Sequence, residues 1–161
     1  MAFHARHFSP FRILSISSDL TDTNILVYAH RADSVWHSKA DQALAEAAEG
    51  ASLWAIPWPC LHEFVAIVTH SRIYKPPTPI YDALIQIKYW LESPTVALLT
   101  EGEGFFGIWD DVLRKSAVTG GSVHDARIAV LCIYHGVTKL LSADRDFSRF
   151  PQLRTENPLL K

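Results

Sequence analysis

The sequence predicts an α/β protein, a three-layer α/β/α sandwich around a central, mainly parallel sheet of four to five strands. Short apolar runs of strand length alternate with longer stretches at helical spacing, in the order β-α-α-β-α-α-β-α-α-β. Parallel neighbours need such crossover connections, so this order points to a parallel sheet with helices packed on it. At 161 residues the chain suits one domain with a full core, and 48% apolar against 20% charged residues is the balance of a folded chain, not a disordered one.

Residues 1–18, MAFHARHFSPFRILSISS, carry arginine, histidine and serine but no acid and no sustained periodicity. They read as a tail preceding a domain over 19–161. SDLTDTNILVYAHR reads as a short strand closing at Asp22, with Thr23 and Asn24 opening a short apolar helix. A helix over 35–49 follows, with Val35, Ala40, Ala43, Leu44 and Ala47 as its apolar stripe and Gly50 as its C-cap. SLWAIP (52–57) is a second strand, and Pro59 suits the first turn of a helix running through EFVAIVTHSRI. YKPPTP (74–79) is a loop, after which IYDALIQIKYWLE resumes helical spacing. TVALLT (95–100) is a third strand, GFFGIWDDVLRKSA is helical, and TGGS (119–122) breaks it. VHDARIAVLCIYHG is apolar nearly all round, so it is expected to be a buried helix ending at Gly136. TKLLSA (138–143) is a fourth strand, and LRTENPL supplies a last edge strand.

Cys60 and Cys132 lie in apolar stretches far apart, which suits core packing in a reducing, cytoplasmic setting and not a disulfide framework or a zinc site. No apolar run reaches the length of a membrane span, and the N-terminus lacks a signal peptide's apolar core. The 15 basic and 17 acidic residues nearly balance, which argues against non-specific binding of long DNA but leaves nucleic acid open as a substrate. Trp54, Trp58 and Trp90 sit in apolar patterns and are expected in the core, whereas Asp110 and Asp111 are expected on a solvated face.

Four acids stand near strand-to-helix junctions. Asp22 ends the first strand, Glu63 follows the second, Asp125 opens the buried helix and Asp144 follows the fourth strand. Each has a structural explanation of its own. Asp22 can cap its helix, Glu63 can favour a helix dipole, Ser122 to Asp125 fits the capping-box pattern, and Asp144 can begin a turn with Asp146 in solvent. Together they suggest more, because ligands of open α/β sheets bind beyond the carboxyl ends of the strands and carboxylates set against apolar elements need a compensating charge. A set of oxygen donors without a histidine–cysteine pair suits Mg²⁺ or Mn²⁺, the ions of phosphodiester hydrolysis.

DTNILVYA at 22–29, HEF at 62–64, VHDARIAVL at 123–131 and SADRDFSRFPQL at 142–153 resemble the PIN-domain nucleases, specifically the VapC-type ribonuclease toxins of bacterial toxin–antitoxin modules. The resemblance covers about residues 19–160, and all four motifs occur in order, with PWPCLHEF and the IYKPP segment between them. It implies that Asp22 and Asp125 are the principal Mg²⁺ ligands and that Glu63 and Asp144 complete the acidic pocket. Asp146 matches a secondary acid, and Asn24 and Ser142 match small polar positions that support the pocket. The implied reaction is metal-dependent endonucleolytic cleavage of RNA by a metal-activated water. The implied partners are a small antitoxin and a second copy in a homodimer.

Two rivals differ in chemistry. DTNIL also resembles the opening of a haloacid-dehalogenase phosphatase loop, but that loop needs a second aspartate where Asn24 stands. The other is a catalytically silent PIN-like module that binds RNA or protein, against which the intact acid quartet speaks.

Overall fold

The computed structural model describes residues 19–160, so the expected tail over 1–18 lies outside the described residues. Its strands are short: β1 (Asp19–Thr21), β2 (Trp54–Pro57), β3 (Val96–Leu99), β4 (Lys139–Leu141) and β5 (Arg154–Glu156). They form one sheet in the order β3-β2-β1-β4-β5, and every neighbouring pair is parallel. Leu20 is in register with Ala55 on one side and Leu140 on the other. Leu20, Ile56 and Leu140 have no solvent exposure, as expected for strands covered on both faces. The edge strand β5 reads Arg-Thr-Glu, and its charged side chains leave a poor template for pairing with another chain.

Six helices connect the strands: α1 (Thr23–His30), α2 (His37–Glu49), α3 (Trp58–Val68), α4 (Ile80–Leu91), α5 (Phe105–Ser116) and α6 (Ser122–Tyr134). The chain steps from β1 to β2 to β3 in one direction and then returns past β1 to β4. Right-handed crossovers therefore set α1 to α4 on one face and α5 and α6 on the other. The packing agrees: α1 touches α2 and α3, α3 touches α4, and α5 touches α6. Helix α6 places Ala126 and Ile128 to Cys132 inside the core, as its sequence implies.

Several local expectations are corrected. Val35 lies before α2 and is 90% exposed, so it is not part of that helix's apolar stripe. Gly50 does cap α2, but in an extended conformation; glycine suits it because a Cβ there would lie 2.9 Å from the Glu46 carbonyl oxygen. The Ser122 capping box does not form. Gly121 is the N-cap of α6 without a side-chain bond, and the Ser122 hydroxyl instead accepts from Arg149 at 3.0 Å. Trp54 is buried and Trp90 packs against the core, but Trp58 is 40% exposed because it begins α3 at its solvent end. Asp110 and Asp111 form exposed pairs with Arg114 and Lys115 one helical turn on.

Candidate functional site

The winding reverses between β1 and β4. These adjacent parallel strands send the chain in opposite directions, β1 towards β2 and β4 towards β5, which opens a crevice beyond their carboxyl ends. Asp22 immediately follows β1, and Asp144 follows β4 by three residues. The backbone N–H of Asp22 donates to the Leu141 carbonyl at 3.0 Å, tying the two strand ends together. The first turn of α6 contributes Asp125 and the middle of α3 contributes Glu63. Asp22, Glu63, Asp125 and Asp144 thus line one cleft of about 260 Å³. Asp146 does not line it; its carboxylate stands 3.9 Å from Arg149.

Asp22 is the most confined of these acids, only 6% exposed. It caps α1 as the sequence suggests, with Oδ1 accepting from the Thr23 N–H at 2.7 Å. The Cys60 thiol lies 3.8 Å from the same oxygen. Oδ2 accepts from Asn24 Nδ2 and from Ser142 Oγ, both at 2.7 Å. Ser142 Oγ in turn accepts from Asn24 at 3.0 Å and from the Asp144 N–H at 3.0 Å, while Asn24 Oδ1 accepts from the Ala143 N–H at 3.1 Å. Asn24 and Ser142 therefore act as a brace between the start of α1 and the end of β4. Asp144 is itself a cap, its Oδ1 accepting from the Asp146 N–H at 2.8 Å. Capping and cleft lining are compatible roles for both aspartates.

The electrostatics are those of acids crowded together. Burial pushes the Asp22 carboxyl up to about 6, the hydrogen bonds from Ser142 and Thr23 oppose the rise, and Glu63 and Asp144 add to it by repulsion. Asp125 is also raised, first by partial burial and then by Asp144, Asp146 and Glu63, with Arg149 opposing. Cys60 and Cys132 are free and buried, and their thiols are pushed up by burial, so they are inert core residues as expected.

Ser142→Ala tests the brace. Losing this donor is expected to raise the Asp22 pKa further and to cost about 1–3 kcal/mol, because Asp144 N–H and Asn24 lose a buried acceptor. Carboxyl NMR titration and urea unfolding check it. An unmoved Asp22 titration would show that the hydroxyl does not hold the carboxylate.

The donors suit a hard cation. They are all carboxylate oxygens, and burial, with repulsion from the neighbouring acids added to it, raises both Asp22 and Asp125. Among the described residues, no group of three His, Cys, Asp or Glu side chains is placed to hold an ion jointly.

Sequence reasoning missed part of the cleft. Thr23 Oγ1 donates to Glu63 Oε2 at 2.6 Å, which fixes the acid from α3 against the first residue of α1. Val27, Tyr28, Ile67 and Tyr74 line the same cleft with apolar and aromatic surface. Tyr28 and Val27 follow from the helical phase of Asp22 to Ala29, but Ile67 and Tyr74 come from α3 and the loop after it, so only the packing reveals them.

Comparison with known proteins identifies the family and the fold. The PIN domain family model matches residues 20–153. Ribonuclease VapC43 of Mycobacterium tuberculosis is 33% identical over 138 residues, spanning 86% of this chain and 93% of that protein. Ribonuclease VapC48 of the same organism is 28% identical over 141 residues, spanning 88% of this chain and 97% of that protein. Among solved structures, that of VapBC2 from Rickettsia felis bound to a promoter DNA fragment shares the fold, with a TM-score of 0.63 at 18% identity over 86% of this chain and 97% of that one.

Proposed function

The chain belongs to the PIN-domain family, among the VapC ribonucleases, and on that premise we propose that it is the RNA-cleaving toxin of a toxin–antitoxin pair. It is an endoribonuclease that depends on a divalent ion, with Mg²⁺ as the natural cofactor and Mn²⁺ as a substitute. The observation that carries this reading is the meeting of Asp22, Glu63, Asp125 and Asp144 around one cleft at the reversal point of the sheet.

Asp22 and Asp125 would hold the ion, and Glu63 and Asp144 would complete the negative field around it. When bound, the ion supplies a more acidic water as nucleophile and positive charge for the phosphate oxygens. The protein's own work is orientation. Asn24 and Ser142 set the rotamer of Asp22, and Thr23 fixes Glu63 through Oε2, leaving the other oxygen for exchange of a proton with the attacking water. Asp146 acts at one remove, through its field on Asp125 and its pairing with Arg149.

A small antitoxin that covers the acidic cleft belongs to the same reading, supported by the likeness of the fold to a toxin–antitoxin complex. So does a homodimer, for which exposed Ile80, Tyr81 and Leu84 of α4 provide apolar surface. No helix among the described residues is long and apolar enough to cross a membrane, in keeping with action in the cytoplasm.

The test is to incubate the purified chain with total RNA and map new 5′ ends. Discrete ends are expected with Mg²⁺ or Mn²⁺, and their loss on chelation. RNA that is bound but never cut under any of these conditions would favour a silent binding module instead.

A further inference from the structure

The cleft has two halves, and phosphodiester chemistry uses only one of them. Hydrolysis needs the acids. It does not need Val27, Tyr28, Ile67 and Tyr74, which line the same cavity beside them. Tyr28 and Tyr74 are only partly buried, so two aromatic side chains border the space that the acids line.

Tyr74 is held with unusual care for a loop residue. The Arg31 guanidinium lies 4.1 Å from its ring centroid, a cation–π contact on one face. Arg31 is itself fixed: it donates to both carboxylate oxygens of Asp33, at 2.8 and 2.6 Å, and to the Pro76 carbonyl and Thr78 Oγ1, each at 3.2 Å. The Tyr74 N–H donates to the His70 carbonyl at 3.0 Å, which closes the turn that carries the ring. A ring ordered in advance has little freedom left to lose when a flat group stacks on it. The same loop carries exposed Arg72 and Lys75, cations suited to the backbone of a strand entering here.

Resting on the ribonuclease reading, we propose that Tyr74, with Tyr28 and Ile67, seats an unpaired nucleobase of the RNA next to the scissile phosphate. Every base offers a π-face, so stacking anchors a single strand without demanding one sequence, and unpaired nucleotides are the ones whose bases are free to splay onto an aromatic side chain. The acid half then acts on the phosphate while the aromatic half fixes the neighbouring nucleotide. This makes Tyr74 a positioning residue whose effect falls on substrate binding.

The experiment uses an RNA oligonucleotide spanning a mapped cut, and copies of it with one abasic nucleotide at each position near that cut. Tyr74→Leu keeps apolar bulk without the π-face, and Tyr74→Trp keeps the π-face. Tyr74→Leu is expected to raise KM roughly 10-fold, in line with the loss of one stacked base, with kcat changed by less than about threefold. Tyr74→Trp should stay near the wild type. One abasic position should weaken the wild type by a similar factor and cost Tyr74→Leu nothing more. Unchanged KM in Tyr74→Leu, or no sensitive abasic position in the wild type, overturns the seat, and the second readout stands even if the variant fails to fold. A Tyr74→Leu protein that cuts RNA normally but resists antitoxin assigns the wall to the protein partner instead and likewise overturns it. Absence of any metal-dependent cut by the wild type is a different failure, that of the ribonuclease reading itself.

Discussion

Asp22→Asn is expected to reduce RNA cleavage by roughly 1000-fold or more and to abolish growth inhibition, with the chain still folded. Metal-assisted charge stabilisation is a matter of several kcal/mol, and each 1.36 kcal/mol is tenfold in rate. Asparagine keeps the shape of the side chain and its acceptor towards Thr23 N–H, so the cap on α1 survives. What it loses is the charge of the most enclosed acid in the cleft. Asp125→Asn is expected to act in the same direction. Asp146→Asn is expected to stay within about tenfold of the wild type, because Asp146 lies outside the cleft lining and faces Arg149. Circular dichroism checks folding, and mapped 5′ ends check cleavage. Full cleavage by both Asp22→Asn and Asp125→Asn would remove the basis for assigning them to the ion.

How much of this is legible in the sequence differs from residue to residue. Asp22 and Asp144 are legible because each stands just beyond a short strand-like segment, and a parallel sheet delivers such positions to one edge. Asp125 is legible from the apolar helix that begins around it. Glu63 is harder, since it stands in the middle of α3, about two turns from β2, and reaches the cleft because α3 lies across the end of α1. The bond from Thr23 to Glu63 joins residues 40 apart, and the one from Ser142 to Asp22 joins residues 120 apart. No local pattern encodes a partner at that distance. The same limit explains Trp58, whose apolar neighbourhood in sequence faces the core while its own position at the start of α3 faces solvent. It explains Ser122 too: the capping pattern was present, but Arg149, brought in by the turn after β4, took the hydroxyl. The crossover order fixes the sheet and the direction of its edge, whereas the contacts that tune the acids depend on how the helices settle on it.

The metal-free protein is expected to lose stability as pH rises from about 4 to about 6, and a divalent ion is expected to restore it. The Asp22 carboxyl titrates at about 6 in the folded chain against an ordinary value of 3.8. Between those values the folded state holds a proton that the unfolded state has released, so folding is favoured on the acid side and the advantage disappears as pH passes through the folded pKa. A rise from 3.8 to about 6 corresponds to about 3 kcal/mol, present below pH 4 and absent above pH 6. Asp125 is shifted in the same direction and adds to the trend, whereas Glu101, which partial burial raises but its bond and ion pair with Arg127 and its own backbone bond lower on balance, works against it. Comparison with Asp22→Asn isolates the buried carboxylate from these other groups. In the variant the decline should shrink by about 3 kcal/mol, which for a chain of this size is a difference in Tm of about 6–12 °C. Mg²⁺ binds the ionised form and so should raise the Tm of the wild type at pH 7.5, increasingly with concentration, and leave Asp22→Asn nearly unmoved. Thermal melts of both proteins from pH 4 to 8, with chelator and with added Mg²⁺, measure all of this without any substrate. Parallel pH profiles for the two proteins would mean that Asp22 carries no strained charge in the folded chain, and an equal response to Mg²⁺ would move the ion away from Asp22.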